Sequence, residues 1–219
     1  FRRTHEDVKE HIARFRLESI DVDLSDEEVA KYKESMRIYR SYMFRKRLFF
    51  FYRKNAYQQL IYLVGKDKEA RKALLAYQEA RKLALNAEKK LEAVAGLLEK
   101  HQDDKIILFS EFNSVVDVIG REFLIPAITH ITDRDERKAI LEGFKSGRFS
   151  KIVTGRVLDE GVDVPDASVA VIVSGSGSKR AYVQRLGRIL RPKPKDKEAV
   201  LYELVTKKTL EMRSASKRK

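Results

Sequence analysis

The sequence predicts an α/β fold, a parallel sheet with helices on both faces, joined to a helical insert. Three observations carry this. Apolar bursts of the length of a buried strand, such as Lys105 to Ser110 and Ser168 to Val173, alternate with helical stretches in the second half of the chain. The stretch from about residue 26 to 85 shows helical periodicity instead. The 219 residues, 43% of them hydrophobic, suffice for one large domain or for a core domain with a small insert.

In chain order, residues 6 to 11 read as a short helix or loop, and Phe15, Leu17, Ile20, Val22 and Leu24 form a strand-like run ending at Ser25. Ser25 and Glu28 make a capping box, each side chain able to satisfy a backbone N–H at a helix start. In the helix that follows, Tyr32, Met36, Tyr39, Met43 and Phe50 recur as one apolar stripe. Arg37, Arg40 and Arg47 flank it, and cations and rings stay interleaved through Arg45, Lys46, Phe49, Phe50, Phe51, Tyr52, Arg53, Lys54 and Tyr57. Such a surface can neutralise phosphates and stack on bases, although aromatics at helical spacing also build cores. Gly65 interrupts the pattern. A long helix is expected from Asp67 to about Lys100, with Asn86 and Gly96 as its weak points and a domain boundary near Asn86.

Beyond Asn86, strands are expected at Lys105 to Ser110, Pro126 to His130, Lys151 to Thr154, Ser168 to Val173 and Glu198 to Leu204. Helices fill the gaps, one from Asn113 to Phe123 and another, capped by Thr132 with Asp135, carrying Ile140, Leu141 and Phe144 inward as far as Gly147. Right-handed crossovers in such a sheet leave the functional loops at the strand C-terminal ends. From Lys207 the tail is basic and expected to be loose.

Lys plus Arg is 46 and Asp plus Glu is 33, a net charge of +13 that favours a polyanionic partner, nucleic acid first. The absence of Cys excludes disulfides and thiolate metal sites, and the His residues at 5, 11, 101 and 130 have no ligand spacing, so no metal site is expected. No apolar run approaches the roughly 20 residues of a membrane span. The chain starts mid-stream at Phe1 without a Met and reads as a fragment; its charged content without Cys or Trp leans toward a thermophile.

Ser110, Thr154 and Ser174 fall at strand ends, where hydroxyls suit sugar-phosphate contacts. The stretch Val153 to Pro165 gathers Asp159, Glu160 and Asp163 around Gly161, carboxylates that suit an arginine or a ribose hydroxyl. Gln184, Arg188 and Arg191 fall at i, i+4 and i+7 on one helical face, with Arg185 beside them and Gly187 leaving room for close approach. An isolated Arg-x-x-Arg is ordinarily solvated charge; several fixed guanidiniums call for phosphate or carboxylate. The chain has no Gly-x-x-x-x-Gly-Lys-Ser/Thr loop, so the arginines have no phosphate cradle of their own.

Gln184-Arg185-x-Gly187-Arg188-x-x-Arg191 resembles motif VI of superfamily-two helicases, Thr154 through Pro165 resembles motif V, and Lys105 to Phe112 resembles the strand of motif IV. Phe123-Leu-Ile-Pro-Ala-Ile-Thr-His, Ile140-Leu-Glu-Gly-Phe-Lys-Ser-Gly and Val173-Ser-Gly-Ser-Gly-Ser are similar to the archaeal XPB-type branch, whose members are repair and transcription helicases. The resemblance implies a second RecA-like domain at 1–25 and 86–209, a helical thumb-like insert at 26–85 and a basic flexible tail at 210–219. It implies that Arg188 and Arg191 are arginine fingers on the γ-phosphate, supported by Gln184 and Arg185, with Gly161 and Asp163 near the ribose or the finger network. Thr154 and Gly155 would face the DNA backbone; apart from the resemblance, the strand-end place of Ser110 and the basic aromatic run with Arg45, Lys46 and Arg47 make these four further candidates for DNA contact. Gly155-Arg156 departs from many relatives in motif V. ATP with Mg2+ would act in the full-length enzyme and be held by a missing N-terminal RecA-like domain, leaving this chain alone without cofactor and inactive. DNA and a nuclease would be partners, in the archaeal cytoplasm at the nucleoid. The rival readings are a DNA-binding and partner-docking module gripping through the insert, another superfamily-two member such as an RNA helicase or restriction-type translocase, and an unrelated phosphate-recognising scaffold.

Overall fold

The computed structural model describes residues 15–155, 167–175 and 199–212. Among these, β1 (Phe15–Val22), β2 (Ile106–Ser110), β3 (Ala127–Ile128), β4 (Lys151–Thr154), β5 (Val169–Ser174) and β6 (Ala199–Thr206) form one sheet in the order β1-β6-β5-β2-β4-β3. Every pairing is parallel. The helices are α1 (Asp26–Arg45), α2 (Leu48–Tyr52), α3 (Ala56–Val64), α4 (Lys68–Leu85), α5 (Lys89–Lys100), α6 (Asn113–Glu122) and α7 (Arg134–Ser146).

The apolar runs of β2 and β5 are buried along their whole length because helices cover both faces of the sheet. Side chains alternate across a strand, so Ile106 and Leu108 join Val94 and Leu97 of α5 with Val116 and Ile119 of α6. Ile107 and Phe109 join Ile140, Leu141 and Phe144 of α7 on the opposite face.

Helices α1 to α4 close a third apolar cluster. Tyr32, Met36, Tyr39 and Met43 of α1 lie against Ala70, Ala73, Ala80 and Ala84 of α4, where small side chains let the long ones of the facing helix pack closely. Met43 and Leu60 are wholly buried, each worth about 1.5–3 kcal/mol relative to exposure. Tyr77 packs at a tilt against Tyr39 and Tyr57, with ring centroids 4.6 and 5.3 Å apart.

Several local expectations hold. Ser25 Oγ accepts from Glu28 N and Glu28 Oε2 accepts from Ser25 N, so the capping box is reciprocal. Gly147 ends α7 at φ 86°, a left-handed position suited to glycine.

Others are corrected. The stripe of α1 stops at Arg45; the chain turns through Arg47 at φ 51°, and Phe50 points outward, 76% exposed. The long helix expected from Asp67 to Lys100 is two helices: Asn86 caps α4 with its N–H on Lys82 O, and Glu88 N donates to Glu28 Oε1 at 3.1 Å. Asp133, not Thr132, caps α7, its Oδ1 accepting from Asp135 N and Glu136 N, because Thr132 Oγ1 already accepts from Thr129 N. The tail is not loose between 207 and 212: Thr209 and Glu211 are buried, and Leu210 N donates to Tyr32 OH.

Candidate functional site

Parallel strands bring their C-terminal ends to one edge, and along it β5, β2, β4 and β3 lie side by side. A register shift between Phe109 and Ser110 sets Ser110 opposite Ser174, as a bulge re-aims side chains at a strand end. The hydroxyls of Ser110 and Ser174 then lie 2.7 Å apart. Glu111 N donates to Ser174 O at 2.9 Å, which pins the loop after β2 to the end of β5.

The strand-end hydroxyls come together here as expected, but they face inward. Ser110 is 1% exposed and Thr154 and Ser174 are 0% exposed. Thr154 Oγ1 donates to Gly155 O, and Ser110 Oγ shares hydrogen bonds with Phe112. Gly155 N donates to Ile128 O at 2.9 Å and is therefore used by the sheet. These three residues shape the rim; their described donors are engaged within the protein.

Two polar side chains that the sequence reading passed over stand at the same rim. Asn113, at the start of α6, pairs its Nδ2 with His130 Nδ1. With the amide donating, the imidazole carries its proton on Nε2, and His130 is exposed. Gly155 makes room for this pair: a Cβ there would lie 2.9 Å from Asn113 Oδ1. The strand-end rule would have found both residues, since each follows a strand end by two or three positions.

The helical segment reaches the rim through an ion pair. Arg81 of α4 lies 2.9 Å from Glu111 Oε1, with Glu111 largely buried. Beneath it, Lys90 Nζ donates to Val173 O at 2.8 Å, to Leu85 O at 3.2 Å and to the carboxylate of Glu211. Neither arrangement had a sequence signal, because a lone Arg or Lys on a charged helix looks like solvated surface.

Arg45, Lys46 and Arg47 lie elsewhere, at the C-terminal end of α1 and just past it. Lys46 Nζ is 3.2 Å from Asp67 and Arg45 is 3.7 Å from Glu69. Asp67 caps α4 and accepts from Tyr42 OH at 2.9 Å, and this bond, first among its causes, holds its carboxyl below the usual range. Burial, followed by the bond to Asp67, pushes the Tyr42 phenol up to about 12. Arg47 is exposed and makes no ion pair among the described residues. From Asp67 to Arg81 the α4 axis runs about 21 Å, so this cluster and the sheet rim are separate surfaces.

Gly161, Asp163, Gln184, Arg185, Arg188 and Arg191 lie outside the described residues. The chain enters 156–166 from Gly155 at the end of β4 and 176–198 from Gly175 after β5, and those two strands flank β2. Among the described residues no group of three or more His, Asp or Glu is placed to hold a metal ion, and no helix is long and apolar enough to cross a membrane.

The family model for the ERCC3/RAD25/XPB C-terminal helicase matches residues 11–219. The chain is 40% identical over 209 residues to the DNA 3'-5' translocase XPB2 of Sulfurisphaera tokodaii, a match covering 95% of this chain and 47% of that protein. It is 33% identical over 142 residues to the DNA 3'-5' helicase XPB of Mycobacterium tuberculosis, covering 64% of this chain and 26% of that one. The chain thus spans about half the length of the first relative and about a quarter of the second. In fold it is similar to the Pyrococcus furiosus Hef helicase domain, with TM-score 0.67 and 19% identity, covering 98% of this chain and 59% of that one.

Proposed function

Because the chain belongs to the ERCC3/RAD25/XPB C-terminal helicase family, we propose that it is the second RecA-like motor half of an ATP-dependent DNA 3'-5' helicase or translocase serving repair or transcription. One observation carries the reading. Gly155 and Gly175, at the ends of strands flanking β2, lead in sequence into the segments that hold Asp163 and the arginine run, so both segments start from one rim.

In this reading Arg188 and Arg191 place fixed guanidiniums against the γ-phosphate, and Gln184 and Arg185 hold them in position. Gly161 and Asp163 face the ribose or the finger network. ATP with Mg2+ supplies the phosphoryl group and neutralises its charge. The sequence has no phosphate-cradling loop, which assigns the cradle to the other half of the protein. At the rim, the Asn113 amide and the exposed His130 ring contact the DNA backbone, while Ser110, Thr154 and Gly155 fix the geometry under them. Arg81 and Glu111 tie the 26–85 insert to that rim. A nuclease partner and a place at the archaeal nucleoid belong to the same proposal.

The test uses the full-length protein. Arg188→Ala or Arg191→Ala is expected to cut DNA-stimulated ATP turnover by about 10³-fold or more and to leave DNA affinity within about threefold. Loss of DNA binding, or undiminished turnover, would overturn the finger assignment. The 219-residue chain alone is expected to hydrolyse ATP negligibly.

A further inference from the structure

A second surface lies at the tip of the helical segment. From Ser35 to Lys66 the sequence contains eight Lys or Arg and no Asp or Glu, in a protein with 33 acidic residues. Within this stretch α2 is five residues long and turns only Leu48 inward. Phe49, Phe50, Phe51 and Tyr52 are 51%, 76%, 63% and 43% exposed. The rings of Phe50 and Phe51 stand edge to face, 5.2 Å apart.

The backbone holds them there. Arg47 before α2 and Arg53 after it have φ of 51° and 37°, in a region that non-glycine residues rarely adopt. Three consecutive phenylalanines would ordinarily be buried; here two unfavourable backbone positions bracket a helix that presents them to solvent. Arg47, Arg53 and Lys54 beside them are exposed and make no ion pair among the described residues.

We infer that the α2 tip binds unpaired bases of a single-stranded nucleic acid, with Phe50 and Phe51 stacking on bases and Arg47, Arg53 and Lys54 holding phosphates. Aromatic rings gain from bases whose faces are open, and a duplex hides those faces. An acid-free cationic surround complements a polynucleotide, and eight Lys or Arg with no Asp or Glu from Ser35 to Lys66 make such a surround. The inference deepens the proposed function and rests on it only in taking nucleic acid as the ligand. Its readout involves neither ATP nor the arginine run.

The test measures binding of the 219-residue chain to a fluorescein-labelled 15-nucleotide oligo-dT and to a 15-base-pair duplex, with a parallel oligo-dT carrying one 2-aminopurine. Phe50→Ser with Phe51→Ser changes only exposed rings, so circular dichroism and melting should match the parent. The double variant is expected to lose about tenfold or more in oligo-dT affinity and most of the 2-aminopurine quenching, while duplex affinity stays within about threefold. Arg53→Gln with Lys54→Gln should keep the quenching and flatten the salt slope for oligo-dT by about 1.4. Unchanged oligo-dT binding by the ring variant, or an equal loss on duplex, overturns the inference and leaves the motor reading standing. Loss of association with the remainder of the full-length protein instead makes the tip a protein interface and overturns it too. Failure of the parent chain to bind oligo-dT overturns the inference as well and leaves the motor reading, tested on the full-length protein, standing.

Discussion

Lys90 Nζ lies 2.9 and 2.8 Å from the two carboxylate oxygens of Glu211, and both side chains are 2% exposed. The residues are 121 positions apart, and the contact joins α5 to the segment after β6. Lys90 also donates to Val173 O, and Thr206 N donates to Glu211 Oε2 at 2.8 Å. Each charge is thus both paired and hydrogen-bonded, which is the condition for keeping ions in a dry interior. Lys90→Met or Glu211→Gln alone is expected to destabilise the chain by about 3–5 kcal/mol. The double change to apolar residues should recover a large part of that, in urea unfolding followed by circular dichroism. A loss below about 1 kcal/mol for either single variant would contradict the buried pairing.

Gly155→Ala tests the rim. The added Cβ would meet Asn113 Oδ1 at 2.9 Å, and a side-chain amide can swing away. Stability should therefore change by less than about 1 kcal/mol. The Asn113 and His130 pairing is broken, and DNA affinity should fall as far as it does in Asn113→Ala. Unaltered binding by both variants would remove Asn113 from the interface.

The three cations at the end of α1 are unequal. Arg45 and Lys46 are engaged with Glu69 and Asp67, whereas Arg47 is not engaged by any described acid. Arg47→Gln should lower the oligo-dT salt slope by about 0.7, the value for one phosphate contact on a single strand, and Arg45→Gln and Lys46→Gln should lower it by less. Equal slopes for the three variants would show that the ion pairs open on binding.

Tyr42 and Asp67 set an acid dependence. A carboxyl whose folded pKa is depressed contributes stability above its unfolded value, near about 4, and that contribution is lost as pH falls through the folded value. The Tyr42 hydroxyl is the largest cause of the depression. Tyr42→Phe should therefore raise the Asp67 titration toward the ordinary range and make stability less steep in pH between about 2 and 5. Carbon-detected NMR of the Asp67 carboxyl reads the first effect directly; an unmoved titration would reassign the cause.

What was legible in the sequence was local. The capping box of Ser25 and Glu28 joins residues three apart, and the turn at Gly147 needs one backbone angle, so neither depends on the rest of the chain. The apolar run Ile106 to Phe109 demanded a strand covered on both faces, because either face left bare would expose large side chains. The strand-end rule likewise brought Ser110, Thr154 and Ser174 to one edge.

By itself, then, the sequence determined a parallel sheet with helices on both faces, the neighbouring helical segment and the family. Tertiary structure decided what those residues do. It inserted β2 between β4 and β5, turned the Ser110 and Thr154 hydroxyls inward, and left Asn113 and His130 outward. It also buried Lys90 against Glu211 and turned Phe50 out of the stripe that helical spacing had given it. The physical reason is range. Periodicity and caps are written by residues three or four apart, whereas burial of a hydroxyl, a ring or a charge depends on surfaces brought together from dozens of residues away.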